Sequence, residues 1–200
     1  MTPELAREIR ASFEEAAADE RNFPAEIDSR IEHVRLVVRE FSTIASPRVA
    51  DIGSGKGRYA RVLAQEIPGA RVVCADLSMS MLAFVKPPLE PCAASMLALP
   101  FGDGAFDAVC AIESLEHAVD IPAAVAELCR ILRPGGKLVI IDKNRDQWGR
   151  LETPQWERWF TREELESLLR RHCSRVGSRF ISYWEDVEPD GLFLAWVASK

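Results

Sequence analysis

The sequence predicts an α/β protein built on an open, Rossmann-like sheet of seven strands, and three observations carry that prediction. From Val49 onward, five short apolar runs alternate with stretches of helical periodicity, the pattern of successive β-α units. The first run ends in a turn with three alternate glycines, Gly53, Gly55 and Gly57, directly before a helix. The last two runs, Val176 to Ile181 and Leu192 to Ala198, flank Glu188-Pro189-Asp190-Gly191 and read as an antiparallel pair.

Each element follows in order. Thr2 before Pro3 is a helix start, and Leu5, Ile9, Phe13 and Ala17 recur every four residues, which predicts an amphipathic helix to about Asp19. Arg21-Asn22-Phe23-Pro24 is a turn. Ser29 with Glu32 forms a capping box for a second helix, carrying Ile31, Val34, Val38 and Phe41 and ending before Ser46-Pro47. Ala60, Leu63, Ala64 and Ile67 mark the first crossover helix, stopped at Pro68-Gly69, and Arg71 to Asp76 is the second strand. Ser78 caps a short helix with Met81, Leu82 and Val85, which Pro87-Pro88 closes. Cys92 to Ser95 is a brief third strand. Phe106 to Ile112, apolar almost throughout, suits a fourth strand buried on both faces. Asp120 and Pro122 open a helix that Arg133-Pro134-Gly135-Gly136 stops, and Lys137 to Asp142 is the fifth strand. A polar connection over 143–159, with Arg145, Trp148, Arg150, Trp156 and Trp159, is long enough to be functional in its own right. Thr161 with Glu164 then caps a last helix carrying Leu165, Leu168 and Leu169.

Two hundred residues suit one core better than two, so the helices of residues 1–45 are read as part of the same domain as residues 46–200. The chain opens with Glu4 and Glu8 where a secretory leader would be basic, and no apolar stretch approaches the ~20 residues of a membrane span. The reading is a cytoplasmic protein without a membrane partner, monomeric or homodimeric. Cys74, Cys92, Cys110, Cys129 and Cys173 form no C-x-x-C pattern and read as reduced packing residues. A net charge of −6 argues against nucleic acid. The charge is uneven, since residues 130–179 hold twelve Arg or Lys against seven Asp or Glu. Solvated helix faces account for that excess as readily as a patch for an anionic substrate.

Glycines at 53, 55 and 57 allow close backbone approach, so a nucleotide-type ligand can lie against the loop and the following helix N-terminus. A dinucleotide fingerprint needs its third glycine at position 58, which is Arg58 here. Asp51 instead gives D-x-G-x-G-x-G, which resembles the first motif of class I S-adenosylmethionine-dependent methyltransferases. Leu99-Pro100-Phe101 and Arg133-Pro134-Gly135-Gly136 are also typical of that group, and the resemblance covers about residues 45 to 200. It implies a seven-stranded methyltransferase sheet with the N-terminal helices as a lid, which would bring Phe13 and Phe23 near the pocket; core packing would explain both equally well. It also implies S-adenosylmethionine as cofactor, S-adenosylhomocysteine as product, and a small-molecule acceptor. The cofactor contacts implied are Asp51, Gly53, Ser54, Gly55 and Gly57 in the loop, Asp76 and Leu77 after the second strand, Ser95, Met96 and Leu97, and Ile112. Asp76 lies nineteen residues past Gly57, close to the ~20 expected for a carboxylate that accepts ribose hydroxyls. Ser95 departs from the family, which has Asp there for the adenine. An NAD(P)-type oxidoreductase and a non-catalytic S-adenosylmethionine-binding module remain the rival readings.

A sulfonium methyl is already activated, so the protein must mainly hold an acceptor in line and exclude water. A hydroxyl acceptor also needs its proton removed. Glu113-Ser114-Leu115-Glu116-His117, just past the fourth strand, should face the cleft at the carboxyl edge of the sheet. The pattern E-x-x-E-H resembles the metal-binding motif of ubiquinone-biosynthesis O-methyltransferases, which would make Glu113, Glu116 and His117 ligands of Mg²⁺ or Mn²⁺. The histidine that family places after the fifth strand is missing. His117 as a metal-free base or substrate contact, with Glu113 beside it, is the favoured reading, and a structural pair is the third. The acceptor expected is a small hydroxyl-bearing metabolite, with an anionic one gripped by the arginines and aromatics of 143–159 as a variant.

Overall fold

The computed structural model describes residues 3–200, so the helix start at Thr2 lies outside the described residues. Seven strands form one sheet: β1 (Arg48–Ile52), β2 (Arg71–Asp76), β3 (Glu90–Ala93), β4 (Phe106–Ile112), β5 (Leu132–Lys143), β6 (Arg175–Ile181) and β7 (Phe193–Ser199). Their spatial order is β3-β2-β1-β4-β5-β7-β6. The pairings from β3 to β5 are parallel, and β7 runs antiparallel to both β5 and β6. The order reverses between β1 and β4, the switch point where open α/β sheets leave a crevice at their carboxyl ends.

Among the described residues there are six α-helices: α1 (Pro3–Ala16), α2 (Glu32–Phe41), α3 (Arg58–Glu66), α4 (Met79–Leu82), α5 (Ile121–Ile131) and α6 (Arg162–Leu169). Because strand side chains alternate, β4 sends Val109 and Ala111 to one face and Ala108 and Cys110 to the other. The first face packs on Val125 and Leu128 of α5 and Leu165 and Leu169 of α6. The second packs on Val34, Val37 and Phe41 of α2 and Tyr59 and Leu63 of α3. Burial on both sides explains why β1, β4 and β5 read as continuous apolar runs.

Most predicted caps form. Ser78 Oγ accepts from Met81 N, Asp120 from Ala123 N, and Thr161 with Glu164 closes a reciprocal capping box. The predicted Ser29–Glu32 box does not. Ile31 is the N-cap of α2, the Glu32 N–H donates to the Tyr183 carbonyl, and the Glu32 carboxylate turns to Arg39 and Arg179. The loop between β6 and β7 thus satisfies the helix start, with Ile31 bridged to Trp184, and no side-chain cap is needed. Helix α1 stops at Ala16, short of Asp19, whose carboxylate accepts from the N–H groups of Arg21 and Asn22 and sets a turn. Strand β3 pairs with β2 over Glu90–Ala93, two residues before the predicted start, since Ser95 folds back against Ala98. Helix α2 lies in the core, and Glu14 of α1 accepts from Met79 N and Ser80 N at the start of α4.

Candidate active site

A cavity of about 530 Å³ opens at the carboxyl edge of the sheet, a size suited to small molecules. Gly53, Ser54, Gly55, Asp76, Leu77, Ser95, Met96, Leu97, Ile112, Glu113, Glu116 and His117 all line it. Asp51 and Gly57 do not; they shape the loop from beneath. Gly57 sits at φ 75° as the N-cap of α3, a conformation that favours glycine. Gly53, at φ 72°, has no room for a side chain, because a Cβ would lie 2.4 Å from Ser114 Cβ. Ser114 is held there by donating to the Ile52 carbonyl at 2.8 Å. Asp51 is buried with Oδ2 unpartnered, and burial lifts its carboxyl to about 7.

Asp76 stands across the loop. Its Oδ2 accepts from Gly55 N at 2.7 Å and its Oδ1 from Ser78 N at 2.8 Å, so β2 and the glycine turn share one carboxylate. Beyond Gly55 a Cβ would meet nothing within 4 Å. The loop therefore leaves open space in front of its backbone, beside an acid, as a nucleoside cradle requires.

Two glutamates leave β4 in opposite directions. Glu113 takes a left-handed backbone, φ 50°, while its N–H still donates to the Ile141 carbonyl at 2.7 Å. Its Oε1 accepts from Tyr59 Oη at 2.9 Å, meets His33 Nδ1 at 3.3 Å, and lies 3.8 Å from the Arg58 guanidinium. Burial alone would raise this carboxyl, yet His33, Arg58 and Tyr59 hold it down to about 2. It is an ionised, well-bonded group.

Glu116 is 1% exposed in the short 3₁₀ turn Leu115–His117. Lys143 Nζ, at the end of β5, donates to its Oε1 at 2.5 Å and to Glu157 Oε2 at 3.4 Å. Glu116 Oε2 and both oxygens of buried Asp142 have no donor. Burial pushes both carboxyls up, Glu116 to about 7 against the pull of Lys143, and Asp142 well above its ordinary range, with the facing Glu116 adding to the effect. His117 Nε2 is 3.6 Å from Glu116 Oε1, and its Nδ1 is buried without a partner. Burial and the neighbouring Lys143 charge lower the imidazole to about 3, so it is neutral at physiological pH.

The metal alternative does not assemble as one centre. Glu113 faces the Tyr59 wall, and although Glu116, His117 and Glu157 bring ligand atoms within 4.8 Å of one another, Lys143 fills the cation position between the two carboxylates. The arginines of the 143–159 connection also turn outward. Arg145 pairs with Glu164 and Arg150 with Asp190, and neither reaches the cavity. The cations that do line it already face acids: Lys56 meets Glu20, Arg58 meets Glu113, and Lys143 meets Glu116. What the connection contributes is Leu151, Pro154 and Trp156, the last with an unpartnered buried Nε1. Phe13 and Phe23 also line the cavity, with Phe13 edge-on to the His117 ring at 4.9 Å. Sequence reasoning missed His33, Tyr59, Lys143 and Glu157. Only Lys143 carried a signal, since it ends a strand at the same edge as Asp76.

A family model described as a methyltransferase domain matches residues 50–140. The chain is 40% identical over 105 residues to a demethylmenaquinone methyltransferase of Thermus thermophilus, covering 49% of this chain and 48% of that one. It is 32% identical over 170 residues to the enzyme of the same name from Renibacterium salmoninarum, covering 82% of this chain and 70% of that one. The first alignment thus spans about half of the relative's length. Among solved structures, a Burkholderia thailandensis 1,6-didemethyltoxoflavin-N1-methyltransferase with bound S-adenosylhomocysteine superposes with a TM-score of 0.73 at 24% identity, covering 100% of this chain and 91% of that one. With a methyltransferase sheet, a glycine turn facing Asp76 and these relatives, the chain belongs to the class I S-adenosylmethionine-dependent methyltransferases.

Proposed function

We propose that this chain methylates a small, flat, uncharged ring bearing an ionisable hydroxyl, with S-adenosylmethionine as the methyl donor. The observation that carries the reading is the cavity itself: the glycine turn and Asp76 share it with Phe13, Phe23 and Trp156, and among the described residues each cation that lines it already faces an acid, which leaves none for an anionic acceptor. When bound, the cofactor supplies an electrophilic methyl on sulfur. Asp76 receives the ribose hydroxyls, with Leu77, Met96, Leu97 and Ile112 against the adenosine and Ser95 in place of the family's adenine-binding acid. Ser54 and the backbone of Gly53 and Gly55 take the methionine end, over the support of Asp51 and Gly57. Glu113, held ionised, complements the positive charge that this end carries.

On the acceptor side, Phe13, Phe23 and Trp156 sandwich the ring and exclude water, and His117 touches its hydroxyl. The demethylmenaquinone named for the relatives points to a quinone-derived ring. A sulfonium methyl needs an electron pair, so such a ring reacts in its reduced, hydroxyl-bearing form. Loss of the hydroxyl proton activates the oxygen and the adjacent ring carbon alike. The unbridged thiols, including Cys129 and Cys173 with Sγ atoms 3.8 Å apart, suit the reducing cytoplasm.

The test is methyl transfer to a panel of hydroxylated aromatics under anaerobic, reducing conditions, with product structure read by mass and NMR. A reduced naphthoquinone ring should be methylated and its carboxylated analogue should not. In His117→Ala, turnover should fall by roughly 10²-fold with cofactor affinity intact. Label transfer only to nucleic acid or protein would refute the assignment.

A further inference from the structure

We propose that Glu116, backed by Asp142, is the terminal proton acceptor of the methyl transfer, and that His117 relays the proton to it. The inference rests on the proposed reaction, and its basis is the wall of the cavity formed by the ends of β4 and β5. Two carboxylates, Glu116 and Glu157, pair with one ammonium, Lys143, and a third carboxyl, Asp142, stands against Glu116. Lys143 bonds to Glu116 and Glu157, and Trp159 Nε1 donates to Glu157 at 3.0 Å. Asp142 has no donor on either oxygen, and Glu116 has none on Oε2. Two carboxyls that face each other in a buried site, with no donor between them, stay together only by holding a proton. The cluster therefore carries exchangeable proton capacity beside the place where a proton is released.

His117 has the geometry of the connector. Its Nε2 lies 3.6 Å from Glu116 Oε1, just outside hydrogen-bond reach, whereas Nδ1 is the nitrogen sealed off with no protein partner. As a free-standing base it is too weak, because burial and Lys143 disfavour the imidazolium. As a relay it holds the charge only in passing. The acceptor's hydroxyl gives its proton to Nε2, which hands it on to Glu116 Oε1 and returns to the neutral imidazole. The sulfur–methyl bond breaks with its pair left on sulfur, the acceptor's pair forms the new methyl bond, and the carboxylate becomes an acid. Glu113, on the other wall, cannot serve, since Tyr59, His33 and Arg58 hold it ionised. The groups that set the proton affinity of the pair are Lys143 beside Asp142 on β5, Glu157 from the connection, and Glu113 and His117 at the end of β4.

The experiment compares wild type, Glu116→Gln and Asp142→Asn, using reduced 1,4-dihydroxynaphthalene as acceptor probe and infrared difference spectroscopy at pH 7. Wild type should show a buried carboxylic-acid band that Asp142→Asn removes. Glu116→Gln should lower kcat by ~10²-fold or more with the cofactor Kd unchanged, and should lose the rise of kcat through neutral pH. In Asp142→Asn that rise should move to lower pH while most of the turnover survives. Turnover within about threefold of wild type, with the same pH profile, in a folded Glu116→Gln would overturn the proposal. So would the absence of the carboxylic-acid band in wild type, a readout that needs no turnover and stands if Glu116→Gln does not fold. A wild type that shows the band but methylates no probe would support the shared proton and remove the acceptor class instead.

Discussion

The two walls of the cavity are built from the same residue type three positions apart, and they behave oppositely. Glu113 is met by a phenol, an imidazole and a guanidinium contributed by α2 and α3, so its charge is stabilised. Glu116 meets one ammonium that it shares with Glu157, and stands against a carboxyl that has no donor at all. Glu116 is buried and Glu113 half-buried, so burial alone would raise Glu116 more, but the supply of donors is what separates them. One wall is a fixed negative charge suited to a cationic cofactor, and the other is a proton store suited to an acceptor.

The largest test of that contrast is Lys143→Met. It removes the cation that, among the described residues, pairs with both Glu116 and Glu157, and should destabilise the fold by about 3–5 kcal/mol at pH 8, read by thermal or denaturant unfolding. The carboxyls can relieve the loss by taking up protons. The deficit relative to wild type should therefore shrink as the pH falls through neutrality.

Glu113→Gln should be milder, roughly 2 kcal/mol, since Tyr59 can still donate to the amide while Arg58 loses its partner. Its pH dependence lies elsewhere. The folded-state carboxyl is lowered from 4.5 to about 2, so its stabilisation is present above 4.5 and is lost as the pH falls toward 2. Wild type and variant should converge only below pH 4.5. Two glutamate walls whose stability differences fade in the same pH window would dissolve the distinction.

The cofactor half offers a smaller effect. Asp76→Ala removes the carboxylate shared by Gly55 and Ser78 and, under the proposed binding, the receiver of two hydroxyls. Loss of charge-assisted hydrogen bonds worth about 1.5–3 kcal/mol should raise the Kd for S-adenosylhomocysteine by roughly 10–100-fold in isothermal titration. Unchanged affinity would detach Asp76 from the cofactor.

The sheet was legible in the sequence because strands buried on both faces must be apolar for their whole length and must end at turns. β2 and β4 were read to the residue and β6 and β7 to within one at either end, whereas β5 begins at Leu132, five residues before the predicted Lys137, because Arg133-Pro134-Gly135-Gly136 was read as a turn and is part of the strand. The glycine loop was legible for a similar reason, although Gly53 turned out to be demanded by Ser114 as much as by a ligand. The two walls were not legible. His33 and Tyr59 reach Glu113 from 80 and 54 residues away, a pairing set by how α2 and α3 lie on the sheet. Arg145 and Arg150 were read as substrate-gripping from composition alone, while surface acids at Glu164 and Asp190 claim both. The E-x-x-E-H spacing misled in a related way. The pattern requires its two acids to converge, whereas the positive φ of Glu113 sends it to the opposite wall.

The smallest effect concerns the aromatic cover. Phe13, on α1, stands edge-on to His117 at 4.9 Å and to Phe23 at 6.0 Å, so it fixes the roof over the relay without bonding to either wall. Phe13→Ala should leave unfolding within ~1 kcal/mol, because the ring lies only half-buried against a cavity that can fill with water. Two consequences distinguish a substrate-facing ring from packing. The KM for a reduced naphthoquinone should rise by roughly 3–10-fold, the worth of one lost aromatic contact, while S-adenosylhomocysteine affinity stays constant. Wetting of His117 should also weaken its desolvation, moving the imidazole up toward its ordinary value, which an NMR titration of the ring protons reads directly. A variant with unchanged KM and an unmoved His117 titration would leave Phe13 as packing alone, and would shift the acceptor toward Trp156 and the 143–159 connection.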